Sequence, residues 1–352
     1  MRHVYLSSHD TYSLQETADP TPQKNTDVII KITATTICGS DVHLIHGEMP
    51  TPWGFPLGHE FVGTIHKIGS EVQSLRVGDR VACPAAVWCG QCDNCRVGQR
   101  QACSNGSIFG SGKAFGSLGG AQAEFIRVPF ADVCVSVIPD AVSDRNALAV
   151  GDILCTGWTA VKNAVTGNQL EVKTLVVFGA GPIGLSAVHT SRLVQGLENV
   201  VMVDILADRL DVARKLGATH VVNPAAGDDL AQVVSEITGG RGAEATIDAA
   251  GVKGSISLWS EVTAIGGKVA VVAIPSGPVE VSLSAIVMRN ITIWTGLGDV
   301  THMDMLLGHI NDGRLDPSPI FSETVAFDDI ENTLKDFVSR KPGLIKPFII
   351  VG

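Results

Sequence analysis

The chain changes its hydrophobic period near its middle. Up to about residue 150 the apolar positions come in short, partly alternating runs: 27–37 (DVIIKITATTI), 61–69 (FVGTIHKIG), 78–83 (GDRVAC) and 121–128 (AQAEFIRV). Gly or Pro separates them, which predicts β-strands and turns. Residues 104–120 are dense in Gly and Ser and read as loop. From about residue 152 a different pattern begins. The continuous apolar run 174–178 (TLVVF) leads through a glycine turn into a helical stretch, 183–194. Then 199–204 (NVVMVD), 219–223 (THVVN), 244–251 (EATIDAAG) and 267–275 (GKVAVVAIP) alternate with helix-like segments such as 207–217 and 228–237. Short apolar strands alternating with helices predict a parallel sheet covered on both faces. After about residue 296 a helix-rich tail ends in the apolar strand FIIVG. The fold class is therefore α/β: a doubly wound parallel-sheet domain late in the chain, with a β-rich domain before it and a tail after it. No internal repeat is present.

Composition changes this picture little. A chain of 352 residues accommodates two domains, and 45% hydrophobic against 18% charged residues is ordinary for globular cores. The net charge of −10 argues against nucleic acid or an anionic membrane as partner and favours a small molecule. The N-terminus carries no basic-then-apolar leader and no run of about 18 apolar residues exists, so the expected compartment is the cytoplasm. Eight cysteines in an intracellular chain indicate metal or redox chemistry rather than a disulfide framework.

Gly179-Ala180-Gly181-Pro182-Ile183-Gly184 lies where a strand runs into a helix. Its glycines permit a tight turn, close approach of backbone to a pyrophosphate, and close helix–strand packing. The helix N-terminus offers free N–H groups to phosphate. Asp204 ends the next strand, twenty residues after Gly184. A carboxylate there accepts from ribose hydroxyls and repels a 2′-phosphate, which favours NAD over NADP. The plainer reading is a structural glycine turn beside an incidental Asp.

Cys89, Cys92, Cys95 and Cys103 form C-x2-C-x2-C-x7-C. Four thiolates on a short loop close a tetrahedron around Zn2+ with no open position, a structural site. Such a site carries a net charge of about −2, which Arg96 and Arg100 are placed to offset. Cys38, with Ser40, Asp41 and His43 close behind it, is followed by Gly58-His59-Glu60. Cys and neutral His are zinc ligands. A third ligand is needed for an open, catalytic site, and Asp152, Cys155 and Glu60 all qualify by residue type. Individually each has a plainer role: Cys38 as a small hydrophobe, His59 as a core histidine, Asp152 as a helix cap.

Together these motifs resemble the zinc-dependent medium-chain alcohol dehydrogenases over nearly the whole chain. The segment 58–72 (GHEFVGTIHKIGSEV), the CGSDVH segment, the four-Cys loop and GAGPIGL come in that family's order and spacing. The runs 151–158 (GDILCTGW) and 119–132 are most similar to its formaldehyde-dehydrogenase and secondary-alcohol-dehydrogenase-type members. The resemblance implies a GroES-like β-rich catalytic domain formed by 1–153 and 297–352 and holding both zinc sites, a Rossmann domain over 154–296, two Zn2+ per chain and NAD(H). It implies Cys38, His59 and Asp152 as ligands of the catalytic zinc, with Cys155 not ligating, and Glu60 as a glutamate that approaches the metal transiently. Ser40 resembles the hydroxyl that bonds the substrate oxygen, His43 the imidazole that passes the proton on, and Asp41 the carboxylate orienting His59. Thr156 matches a residue packing on the nicotinamide, Arg209 a basic residue near the adenosine ribose, and Lys346 one near the pyrophosphate. For Arg209 and Lys346 the plainer reading is a solvated surface charge. The substrate pocket is expected to be walled by residues near Ser40, Trp53, Phe109, Phe115, Trp158 and Leu297.

The implied reaction is hydride transfer between a primary or secondary alcohol and NAD, or the reverse carbonyl reduction. A polyol or sugar dehydrogenase of the same family is the alternative, with Glu expected in place of Asp152. A non-catalytic or zinc-free member is a further one. The relatives imply a homotetramer or homodimer.

Overall fold

The computed structural model describes residues 1–275 and 277–352. They form two compact units, Met1–Asp152 with Asp299–Gly352, and Ile153–Gly298.

In the first unit the strand Val28–Thr35 is central and almost entirely buried, as its run of β-branched residues requires. On one edge it pairs antiparallel with Phe61–Ile68, which in turn pairs with Arg80–Cys83 and then Ser136–Val137. On its other edge it meets Phe125–Val128 at its start and Pro347–Ile350 at its end. The C-terminal strand then pairs parallel with Glu323–Ala326. The register sets Thr35 opposite Phe61 and opposite Ile349, and Phe61 opposite Cys83. Because antiparallel neighbours reverse direction, the residues after Thr35, before Phe61, before Pro347 and after Cys83 emerge at one end of the sheet. A separate three-stranded sheet comprises Thr11–Glu16, Arg2–Ser8 and Phe55–Pro56. Ile30, Ile32 and Ile65 share one core with aromatic side chains. Phe61 and Phe109 meet there edge to face, 5.2 Å between ring centres. Phe109 is therefore core, not pocket wall.

The second unit carries a six-stranded, wholly parallel sheet in the order His220–Val222, Asn199–Val203, Thr174–Phe178, Ala243–Asp248, Thr263–Val271, Thr292–Thr295. The chain winds outward one way from Thr174–Phe178 and then the other, the doubly wound arrangement the strand–helix alternation predicts. Thr174–Phe178 and Ala243–Asp248 are buried at every position, which is why they read as continuous rather than alternating runs. The edge strand Thr292–Thr295 has no fully buried position. Asp229 caps Leu230–Thr238 by accepting from the Gln232 N–H at 3.0 Å. Gly217, in the left-handed region, closes Ala207–Leu216.

Candidate metal and cofactor sites

Three chain segments converge at the end of the first unit's sheet. Cys38 caps the short helix Gly39–Ile45 directly after the central strand. His59 and Glu60 lead into the neighbouring strand, and the Thr35 hydroxyl ties the two by donating to the Glu60 carbonyl at 2.8 Å. Asp152 follows the 3-10 turn Ala149–Gly151. Gly151 lies so close to the end of Arg80–Cys83 that a Cβ on it would sit 2.3 Å from the Cys83 carbonyl oxygen, and its own carbonyl accepts from Ala85 N–H. Only glycine allows that approach, and the approach places Asp152.

The result is a cluster of Cys38, His59, Glu60 and Asp152 with one donor atom from each within 4.8 Å of all the others. Asp152 Oδ2 lies 3.8 Å from Cys38 Sγ and 3.7 Å from His59 Nε2. A tetrahedral Zn2+ with ordinary bond lengths requires S···O and N···O edges of about 3.4–3.6 Å, so the donor set fits the metal with a small contraction. Ser40 Oγ is 3.4 Å from His59 Nε2. On the other side of the ring, Asp41 Oδ1 stands 3.5 Å from His59 Nδ1. Burial disfavours an imidazolium here, but the surrounding Asp152, Asp41 and Cys38 outweigh it and hold His59 well above its usual value. Such a concentration of negative donors around one imidazole is what a bound dication would neutralise. Cys155 is fully buried and outside the cluster.

Lys346 corrects the sequence reading. It is neither a surface charge nor free to meet a pyrophosphate. Its side chain is completely buried, and its ammonium donates to Glu60 Oε1 at 2.6 Å and to the Ile37 carbonyl at 3.2 Å. Burial opposes its charge, but the Glu60 carboxylate more than compensates and raises it. The residue before the C-terminal strand lands there because that strand pairs with Val28–Thr35. Among the described residues Glu60 Oε2 has no hydrogen-bond partner.

The other proton-bearing residues share the helix Gly39–Ile45. His43 is half-exposed, and its Nδ1 pairs with Glu48. The Glu48 N–H donates to the His43 carbonyl at 2.9 Å, so the pairing is built into the turn that ends the helix.

The four sulfurs of Cys89, Cys92, Cys95 and Cys103 also gather within 4.8 Å. None of the eight cysteines is in a disulfide. Cys103 Sγ is 3.6 Å from Cys89 Sγ and 3.8 Å from Cys92 Sγ. A Zn–S bond of about 2.3 Å gives a tetrahedral edge of about 3.8 Å, so these spacings fit a closed Zn2+ site. The Asn105 amide and the Gln91 N–H pull Cys89 down to about 6. Burial and the Cys92 and Cys103 sulfurs push Cys95 up to about 12. Four sulfurs so close do not ionise together without a cation. Arg96 does not sit against this charge as its position in the loop suggested: it points to solvent, 3.9 Å from Asp93. The offset comes from N–H donors instead, Cys89 and Asn105 backbone to Cys103 Sγ and the Asn105 side chain to Cys89 Sγ.

In the second unit the glycine turn begins at the carboxyl end of Thr174–Phe178, where the strand order reverses. Gly179 takes φ +90°. Gly184 lies against it: a Cβ there would meet the Gly179 carbonyl at 1.8 Å. Gly181 is different. It caps the helix Pro182–Ser191, and a Cβ on it would enter open space, so no contact among the described residues demands glycine there. Asp204 accepts from Ala180 N–H at 2.6 Å and from Leu206 N–H at 2.9 Å, which fixes its carboxylate beside that turn. Thr156 is buried on the helix Ile153–Val165, and Arg209 is partly exposed on Ala207–Leu216.

Comparison with known families accounts for most of the chain. Residues 24–140 match the alcohol dehydrogenase GroES-like domain, and residues 182–302 the zinc-binding dehydrogenase family. The chain belongs to the zinc-type alcohol dehydrogenases. An alcohol dehydrogenase of Cupriavidus necator is 33% identical over 338 residues, covering 91% of this chain and 90% of that one. The alcohol dehydrogenase TADH of Thermus sp. ATN1 superimposes with a TM-score of 0.91 at 32% identity, covering all of both chains. An E. coli CFT073 alcohol dehydrogenase solved with NADH gives a TM-score of 0.87 at 26% identity, covering 100% and 99%. As a zinc-type alcohol dehydrogenase, the chain is an oxidoreductase whose substrates are small alcohols. No helix among the described residues is long and apolar enough to cross a membrane.

Proposed function

We propose that this alcohol dehydrogenase transfers hydride between an alcohol and NAD, with two Zn2+ per chain. One zinc is held by Cys38, His59 and Asp152 and the other by the four cysteines. The observation that carries the reading is the convergence of Cys38, His59 and Asp152 at tetrahedral separations beside the Ser40 hydroxyl. Bound there, zinc supplies a Lewis acid that acidifies a hydroxyl, and the nicotinamide supplies the hydride acceptor.

The chain's own groups do the rest. Ser40 Oγ stands beside the donor set and exchanges the proton with the substrate hydroxyl. His43, one turn along the same helix and half-exposed, passes that proton outward. Asp41 holds the His59 ring in the tautomer that leaves Nε2 free to ligate. Lys346 keeps Glu60 paired, so that the buried carboxylate does not add a further negative charge to the ligand set. In the second unit, Gly181 and the helix N-terminus receive the pyrophosphate, and Asp204 accepts from the ribose and repels a 2′-phosphate. The NADH complex of the E. coli CFT073 relative supports the choice of NAD. Exposed Ile265, Leu283, Val287 and Met288 on this unit support self-association as a dimer or tetramer.

Metal analysis with kinetics tests the proposal. The wild-type protein should hold two zincs and show kcat/KM with NADH at least tenfold above that with NADPH. Cys38→Ser and Asp152→Ala should each hold one zinc and lose turnover by about 100-fold or more. Full turnover in either variant would overturn the ligand assignment, and a preference for NADPH would overturn the role of Asp204.

A further inference from the structure

We propose that Gln122 is a positioning residue for the His59 metal site: its side-chain amide locks the Asp41 carboxylate that orients His59. The proposal rests on the reading of Cys38, His59 and Asp152 as a zinc site.

Gln122 is fully buried, and 81 residues separate it from Asp41 in sequence. Its Nε2 donates to Asp41 Oδ2 at 3.0 Å and to the Thr36 carbonyl at 3.4 Å. The Cys38 N–H donates to the same Oδ2 at 2.9 Å. Two donors therefore occupy Oδ2 and prevent the carboxylate from rotating. Oδ1 is left facing His59 Nδ1.

Both neighbours of Nε2 are acceptors, which decides the orientation of the amide. The cost falls on its other end: Oε1 is buried with no hydrogen-bond partner among the described residues. An unpaired buried acceptor is destabilising. A residue that served only to fill this space would be apolar, so the amide is there for its donors. Its neutrality also matters. A lysine or arginine here would neutralise Asp41 and weaken its hold on the imidazole, whereas an amide fixes the carboxylate and leaves its charge to act on His59.

The backbone of the same residue reaches the other side of the site. Gln122 N–H donates to the Leu57 carbonyl at 3.0 Å. Gly58, at φ +92°, lies so close that a Cβ on it would stand 2.6 Å from Gln122 N. One residue thus braces both the turn that delivers His59 and the carboxylate that orients it.

The test follows zinc leaving the fully loaded enzyme in the presence of a chromogenic chelator. The phase belonging to the His59 site is identified as the one missing in Cys38→Ser. Gln122→Met, which keeps the volume and removes the donors, should speed that phase by about 10–100-fold and leave release from the four-cysteine site unchanged. Gln122→Glu, which replaces the donor by an acceptor, should act in the same direction and covers the case in which the first variant does not fold. In a double-mutant cycle, Gln122→Met should add less than about twofold to the effect of Asp41→Ala. Wild-type release in both Gln122 variants would overturn the proposal. So would an undiminished Gln122 effect in the Asp41→Ala background, or equal acceleration of both zincs, which would show a general loosening. Failure of the underlying site reading looks different: the wild-type protein would then hold no metal that Cys38→Ser removes.

Discussion

Lys346 and Glu60 show how little a residue's charge says about its place. A lysine just before a terminal strand ordinarily reaches solvent, yet this one is buried against a carboxylate beside the metal donors. The pair is held from opposite sides of the site by strands that both border Val28–Thr35. Removing one member of a buried ion pair leaves the other desolvated and uncompensated, which costs about 3–5 kcal/mol. Lys346→Met should therefore lower the urea midpoint sharply. Adding Glu60→Gln should recover most of the loss, because the orphaned carboxylate is then gone. Equal stability of Lys346→Met and wild type would contradict the burial of this pair. Residues of the cysteine loop behave in the opposite way. Their sulfurs are near neighbours in sequence, and their geometry follows almost directly from spacing.

At the scale of elements, the first unit relies on side chains that close loops onto strands. Asp132, at the start of the short helix Ala131–Cys134, accepts from the backbone of Gln73 and Ser74 and from the Ser74 hydroxyl at 2.5 Å. Partial burial raises its carboxyl slightly, but the Ser74 and Gln73 bonds outweigh this and hold it below the ordinary Asp value. A depressed carboxyl contributes stability above its unfolded pKa of about 3.9 and loses it as pH falls through the lower folded value. Asp132 is exposed, so solvent screening limits the contribution to about 1 kcal/mol or less. Asp132→Asn should be less stable than wild type near neutral pH, with the difference shrinking steadily below pH ~4. Thermal unfolding across that range checks it, and a difference that grows toward low pH would contradict it. The glycine turn in the second unit is closed by backbone instead. Gly184 against the Gly179 carbonyl leaves no room for any side chain.

At the scale of the whole molecule, the proposed metal donors and the proposed nucleotide-binding residues belong to different units. Cys38, His59, Asp152 and the four cysteines lie in the unit of Met1–Asp152 and Asp299–Gly352, and Gly179–Gly184 and Asp204 in Ile153–Gly298. Stripping both zincs with a chelator should therefore abolish turnover while changing the dissociation constant for NADH less than about threefold, since no proposed nucleotide contact involves a metal ligand. Fluorescence titration of the stripped protein measures this. Loss of NADH binding with the metal would show that the cofactor site depends on the first unit's metal centres.

The chain's own pattern determined the parallel sheet, the glycine turn and both sets of candidate metal-ligating residue types. Each of these is local: buried parallel strands read as apolar runs, glycine is demanded by backbone approach, and soft donors reveal themselves by type and spacing. The resemblance to a family selected Asp152 over its competitors, but the position of Asp152 itself depends on Gly151 resting on Cys83. Only the tertiary structure decided the partners of Lys346 and Gln122. These lie 286 and 81 residues from the groups they hold, and strand register, not sequence proximity, brings them there. A buried amide and a buried ammonium leave no periodic trace in a sequence, because what makes them informative is the acceptor they meet.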